Sequence, residues 1–187
     1  VGGKGIKDIS NMIGYNFRLG EMECAIGIEQ LKKLSTQVKT RQHAAERLTI
    51  GLNGLLGLRL PVVKAECTHV YYLYPLIIDV HMLGVSRKRL IEALEAEGVT
   101  GLADGYANLH LLPMFQQKIA YGSKGFPWTS DICDREVSYD KGICPIAENL
   151  HDNTFLGFDM CLYELDDFEI DLVIKAFTKV WANISLL

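Results

Sequence analysis

The sequence predicts an α+β chain, an α/β sandwich in which long N-terminal helices and later helices pack on a small, mostly antiparallel sheet. Three observations carry this prediction. Residues 20 to 56 hold apolar positions at close to helical spacing. Val70 to Asp79 is a dense run of aromatic and branched residues, the composition of a strand. Ile170, Val173, Ile174, Phe177, Val180, Trp181 and Ile184 again repeat at helical spacing. The order helix, strand, helix, strands, helix describes a small sheet covered by helices.

Taken in order, the first helical stretch reads as two pieces. Met22, Ala25, Ile26, Leu31, Leu34 and Val38 form its first stripe, with Cys24 expected as a small core residue. Ser35 and Thr36 are adjacent weak helix formers, so the break is expected there. Ala44, Ala45, Leu48, Leu52, Leu55 and Leu56 form the second stripe, Gly57 suits the C-terminal cap, and Pro61 follows. Pro75 removes a ladder donor from the strand over residues 70–79, which predicts an edge strand or a bulge. Ser86 is the expected N-cap of the next helix. Val85 staples to Leu90, Leu90, Ile91 and Leu94 form the buried stripe, and Gly98 ends the helix. Residues 99 to 144 are broken by Gly and Pro and read as an ordered loop with one or two strands. A short helix at Ile146–Leu150 and a strand at Thr154–Phe158 follow. Asp166 caps the last helix, with Glu169 three residues on and Leu165 stapling to Ile170. The expected division is 1–56, connecting loop and long helices, and 57–187, a C-terminal small domain.

Composition narrows the function classes. A net charge of −4 with no Lys/Arg block argues against a nucleic-acid or anionic-membrane binder. No apolar run approaches the roughly 20 residues needed to span a bilayer. The five cysteines are odd in number, widely spaced and without a C-x-x-C pair, so they read as reduced thiols of a cytoplasmic protein rather than a disulfide or zinc framework. The chain opens Val1-Gly2-Gly3-Lys4-Gly5 without Met, the expectation for a fragment or a processed protein.

Few residues are placed to carry chemistry. Asn16 and Arg18 lie in a short Gly-flanked segment directly ahead of a helix. His69 stands at the start of the strand, and Tyr106 and His110 lie in the mid-chain loop. Glu21, Glu23 and Glu29 suit the N-terminal part of a helix and need no catalytic role. Lys32 and Lys33 read as its solvent side, His43 and His151 as surface residues on helices, and His81 as a loop residue. No His/Cys/Asp/Glu spacing fits a metal, and neither G-x-S-x-G nor a phosphate-cradling Gly motif is present.

Gly14-Tyr15-Asn16-Phe17-Arg18-Leu19 and the helix through Leu34 closely resemble the segment that follows the catalytic lysine in DegT/DnrJ/StrS-type aminotransferases. His69-Val70-Tyr71-Tyr72-Leu73-Tyr74-Pro75-Leu76 and Tyr106-Ala107-Asn108-Leu109-His110-Leu111-Leu112-Pro113 resemble two further stretches of that family. Phe126-Pro127-Trp128 and Cys144-Pro145-Ile146-Ala147-Glu148 resemble its closing region. Ala107-Asn108 departs from the Pro that many relatives carry just before Leu-His. The resemblance implies the C-terminal domain of a fold-type I enzyme that uses pyridoxal 5'-phosphate. It implies transfer of an amino group from a donor such as glutamate to a nucleotide-linked keto sugar, in a homodimer. Asn16 would donate to the cofactor phosphate of the other subunit, since an amide donates to phosphate oxygens without adding charge; a plain turn residue is the other reading. Arg18 would be a second cofactor contact or a salt-bridge partner of the helix. His69, Tyr106 and His110 would face the sugar-nucleotide pocket, or simply brace the strand and loop. The Schiff-base lysine lies outside this chain, Lys4 is not it, and the chain alone is expected to be inactive. A same-family sugar dehydratase and a non-enzymatic binding domain are the alternatives.

Overall fold

A four-stranded antiparallel sheet, in the spatial order β1 (Leu58–Arg59), β2 (Leu73–Ile78), β4 (Phe155–Asp159), β3 (Leu102–Ala103), organises the C-terminal part of the chain. The computed structural model describes residues 17–131, 133–162 and 164–187. Contacts divide the chain into a first unit, Val1–Gln37, and a second, Val38–Leu187.

Helix α1 runs unbroken over Glu21–Leu52, so the expected break at Ser35-Thr36 is absent. Ser and Thr each cost only a fraction of about 1 kcal/mol in a helix interior, and no Gly or Pro lies between Ile28 and Ile50 to end the ladder. Within the first unit the apolar side chains Met22, Ile26, Leu31 and Leu34 are exposed. Cys24 is exposed too, contrary to its expected core position. The stripe there is real, but its side chains are exposed among the described residues.

In the second unit α1 ends at Leu52 and Gly54, at φ 88°, takes the turn expected at Gly57. Ala44, Ala45, Leu48 and Leu52 are buried, whereas Leu56 lies beyond the helix end and is 67% exposed. The sheet is built from β1 (Leu58–Arg59), β2 (Leu73–Ile78), β3 (Leu102–Ala103) and β4 (Phe155–Asp159). Tyr74, Leu76 and Ile78 of β2 alternate onto one buried face. Register brings Phe158 opposite Tyr74 and Leu156 opposite Leu76, so β4 continues that face. Against it pack α1, Leu90 and Leu94 of α3 (Arg87–Ala96), and Ile170, Phe177 and Trp181 of α6 (Asp167–Ala182). Each fully buried side chain of this size contributes about 1.5–3 kcal/mol relative to exposure. Gly51 is small because a Cβ there would meet the Ile174 side chain at 2.5 Å, where α1 and α6 approach.

The strand begins at Leu73 rather than Val70 because Tyr71 leaves the extended region, at φ 47°. By strand order β2 is interior, not the expected edge. Yet β1 pairs only with Ile77 and Ile78, so among the described residues no strand lies beside Pro75 on that side. Asp79 N–H donates to Gly57 O, which turns the N–H of odd-numbered residues toward β1. The Pro75 nitrogen faces the same way and interrupts no bond to β4.

Local signals explain the helix ends. Ser86 Oγ accepts from Arg89 N–H at 3.3 Å, and Val85 packs on the core that Leu90 enters. Asp166 and Glu169 close a reciprocal capping box at 2.8 and 2.9 Å. Trp181 Nε1 donates to Leu56 O at 2.8 Å, tying α6 to the turn after α1. His81 sits exposed on a short helix, α2 (Val80–Leu83), where a loop was expected. Residues 99 to 144 hold β3, a 3-10 turn at Leu109–Leu111 and α4 (Pro113–Gln116). Phe115, Trp128 and Tyr139 form an aromatic cluster there, with Trp128 Nε1 donating to Tyr139 Oη at 2.9 Å. Helix α5 (Pro145–Asn149) continues as a π turn over Leu150–Thr154. No helix among the described residues is long and apolar enough to cross a membrane.

Candidate functional site

The sheet and the loop after β3 border an open cavity of about 670 Å³. Tyr72 and Leu73 reach it from the start of β2, Ala103 and Tyr106 from β3 and its loop, and His151 from the π turn. Phe155 and Asp159 close it from the two ends of β4. Tyr72 is 73% and Tyr106 95% exposed, so both rings meet solvent at the rim. Asp159 is the carboxylate on the wall, and among the described residues no Lys or Arg lines it.

His151 lies on the helical π turn as expected but is half-buried rather than on the surface. Its Nδ1 is buried and has no hydrogen-bond partner among the described residues. Gly105, at φ 126°, lies against it; a Cβ there would come within 2.6 Å of that nitrogen. The backbone beneath is clamped by Arg87, whose guanidinium donates to the carbonyls of Leu150, His151, Asp152 and Phe155 at 2.8–3.3 Å. His151 and Asp152 lie in the last turn before β4, where helical carbonyls lack partners and a cation suits the terminus, while Leu150 O also accepts the Phe155 N–H.

Glu148 organises the neighbouring turn. Buried on α5, it accepts from Gly142 N–H at 2.8 and 2.9 Å, from Cys144 N–H at 3.2 Å and from His110 Nε2 at 2.9 Å. Burial pushes its carboxyl up, but the Gly142 amide, His110 and the Cys144 amide together outweigh burial and hold it below the usual carboxylate range. Glu148 is therefore an acceptor at neutral pH, and His110 is its donor. Nearby, Lys141 pairs with Asp152 at 2.9 Å and holds that carboxyl low.

His69 is half-buried ahead of β2. Its Nδ1 accepts from Tyr71 N–H at 2.9 Å, its ring lies 4.2 Å from that of Tyr71, and Gln42 Nε2 donates to its carbonyl at 3.0 Å. With Nδ1 accepting, the proton of the neutral ring sits on Nε2. Of the site residues named from sequence, Tyr106 lines the cavity, while His69 and His110 do not. Arg18 is exposed in the first unit, and Asn16 lies outside the described residues. Glu148, Arg87, Tyr72 and Asp159 were not singled out for the site. Arg87 reaches carbonyls more than 60 residues away and Glu148 meets His110 38 residues away, so no local spacing marks those contacts. No group of His, Cys, Asp or Glu able to hold a metal occurs among the described residues.

The model of the DegT/DnrJ/EryC1/StrS aminotransferase family matches residues 3–152. The spore coat polysaccharide biosynthesis protein SpsC of Bacillus subtilis is 30% identical over 125 residues, covering 67% of this chain and 32% of SpsC. A dTDP-4-dehydro-2,6-dideoxy-D-glucose 3-dehydratase of Saccharopolyspora spinosa is 31% identical over 106 residues, 56% of this chain and 22% of that enzyme. Among solved structures, a DegT DnrJ EryC1 StrS aminotransferase from Brucella abortus superposes with a TM-score of 0.67 at 22% identity, over 97% of this chain and 41% of its own; that likeness is one of fold. The chain thus spans about a third or less of the length of these curated relatives.

Proposed function

Because the chain belongs to the DegT/DnrJ/EryC1/StrS aminotransferase family, we propose that it is the C-terminal part of a pyridoxal-phosphate-dependent aminotransferase. Its substrate is a nucleotide-linked keto sugar destined for a cell-surface polysaccharide or a deoxyaminosugar, and its amino donor is an amino acid such as glutamate. The observation that carries this reading is the match of one family model across residues 3–152. The α+β fold of the second unit agrees with it.

The donor chemistry of Asn16 and Arg18, an amide and a guanidinium, suits the phosphate of the cofactor. In a homodimer Asn16 donates to the phosphate held by the partner subunit. When bound, the cofactor supplies the electron sink for amino transfer. The residues of this chain bind and orient. Tyr106 offers its ring and hydroxyl at the cavity rim. His110, pinned by Glu148, holds that loop on α5. His69 presents an Nε2–H donor ahead of β2. The Schiff-base lysine belongs to the part of the enzyme outside this chain, and the division 1–56 and 57–187 separates dimer-forming helices from the small domain.

The test is turnover by the full-length enzyme loaded with cofactor. Incubation with a nucleotide-linked keto sugar and glutamate gives an amino sugar and 2-oxoglutarate, read by mass spectrometry. The S. spinosa relative is a 3-dehydratase, which favours one second reading: dehydration in this same family. A deoxygenated product without added nitrogen selects that reading, and no turnover of any nucleotide-linked sugar removes both.

A further inference from the structure

We propose that His69 is a positioning residue. Through Nδ1 it holds Tyr71 in the left-handed region and so decides which of two adjacent tyrosines enters the core and which stands at the mouth of the cavity. The device serves amino transfer and dehydration alike.

Strand periodicity sets the expectation. Along β2 the even-numbered side chains Tyr74, Leu76 and Ile78 lie on the buried face. A regular extension toward the N-terminus puts Tyr72 on that face and Tyr71 on the other. The structure has the reverse. Tyr71 is 9% exposed, with its ring 6.1 Å from that of Tyr74, three residues on. Residues three apart point to opposite faces of a regular strand, so this contact marks an inversion. Tyr72 is 73% exposed and joins Leu73, Phe155 and Asp159 at the cavity. Those three belong to the outer face, since register sets Leu73 opposite Asp159 and Ile77 opposite Phe155.

One residue makes the inversion. A φ of 47° at Tyr71 turns the chain over, in a conformation that bulky side chains adopt rarely. Such a residue persists only when its surroundings hold it there. His69 supplies the hold. Its Nδ1 accepts the Tyr71 N–H at 2.9 Å, and the imidazole lies 4.2 Å from the Tyr71 ring at 37°. Gln42 of α1 donates to the His69 carbonyl at 3.0 Å, so the acceptor is itself anchored. A side chain that accepts from the N–H two residues on has the geometry of an Asx turn, with imidazole in place of the amide. Both candidates for the core position are tyrosines, identical in size and polarity. Side-chain burial therefore does not choose between them, and the choice falls to the backbone that His69 fixes.

Nitration of the cofactor-loaded full-length enzyme with tetranitromethane tests this, each tyrosine being read by fragmentation mass spectrometry. Wild type is nitrated at Tyr72 in preference to Tyr71. His69→Leu fills the same half-buried position without an acceptor. It lowers the Tyr72-to-Tyr71 ratio about 2- to 10-fold, the population shift from one lost hydrogen bond. His69→Asn, whose amide oxygen accepts from the same N–H, keeps the wild-type ratio. Adding Tyr72→Lys to His69→Leu protects Tyr71 again, because the core refuses an unpaired lysine. General loosening of the chain raises both tyrosines together and is not repaired by Asn, so these variants separate positioning from stability. Equal nitration of Tyr71 and Tyr72 in wild type overturns the inference, as does an unchanged ratio in His69→Leu. So does His69→Asn that behaves like His69→Leu, or Tyr71 that stays reactive in the double variant. Each of these outcomes leaves the functional reading to be decided by turnover.

Discussion

Glu148 and His110, 38 residues apart in the chain, meet through a 2.9 Å hydrogen bond with only 8% and 11% of their side chains exposed. The pair joins α5 to the 3-10 turn of the mid-chain loop. Two backbone amides, Gly142 and Cys144, complete the shell around the carboxylate.

This arrangement predicts an acid-sensitive clasp. Glu148 titrates below its ordinary range in the folded chain, despite burial, because the Gly142 amide, His110 and the Cys144 amide favour its charged form. A lowered native pKa lends stability that is complete above the unfolded value, about 4.3 for Glu, and is lost as pH falls through the native value. The thermal midpoint of wild type should therefore drop more steeply below about pH 4 than that of Glu148→Gln, which has no such proton to take up. Parallel curves for the two proteins would show that the clasp carries no pH dependence.

Tyr74 gives a second, opposite titration. Its hydroxyl is 2.7 Å from Thr49 Oγ1, and burial raises its pKa to about 12 although the Thr49 bond works the other way. A raised native pKa lends stability that is complete below the unfolded value of about 10 and is lost as pH rises through the native one. Tyr74 should ionise about two units late in an ultraviolet titration, together with loss of tertiary signal. Tyr74→Phe should remove that late step and cost about 1 kcal/mol at neutral pH.

The docking of α6 makes a third prediction. Phe177 is 1% exposed and stacks on Trp181 at a centroid distance of 5.7 Å. Phe177→Ala should cost about 3–5 kcal/mol, measured by denaturant unfolding. Lys175→Ala, on the exposed side of the same helix, should change stability by less than about 0.5 kcal/mol. Similar small losses from both would mean that α6 is a peripheral tail.

A fourth prediction concerns the cofactor. In the full-length enzyme, Asn16→Ala should weaken pyridoxal phosphate retention by about 10- to 100-fold, the value of one hydrogen bond to a charged phosphate. In mixed dimers of wild-type and variant subunits the defect should appear in the site of the partner subunit. Unchanged cofactor affinity would withdraw Asn16 from the phosphate.

What the sequence disclosed follows the range of the interactions involved. The ends of α3 and α6 were legible because Ser86, Asp166 and Glu169 act within three residues of themselves. The α+β architecture was legible because alternation in β2 and the stripes of α1 and α6 are periodic. The unbroken path of α1 through Ser35-Thr36 was not: propensity alone sees a weak point, while the continuous backbone ladder tolerates it. Cys24 was misjudged because a stripe marks a surface that wants a cover without saying whether this chain supplies one. The cavity was half legible. Tyr106 came from a motif, but the roles of His151, Arg87 and Glu148 arise from chain segments that meet only on folding.

Pro75 has a consequence for the behaviour of the protein in concentrated solution. Where β1 stops short, no strand among the described residues lies along the flank of β2, and a strip of backbone of this kind recruits strands from other molecules. A complete row of donors and acceptors there would be a template for self-association, set in an apolar, β-prone run from Leu73 to Ile78. The missing N–H breaks that row in its middle and acts as a gatekeeper. Solubility, more than folding, is what this residue protects.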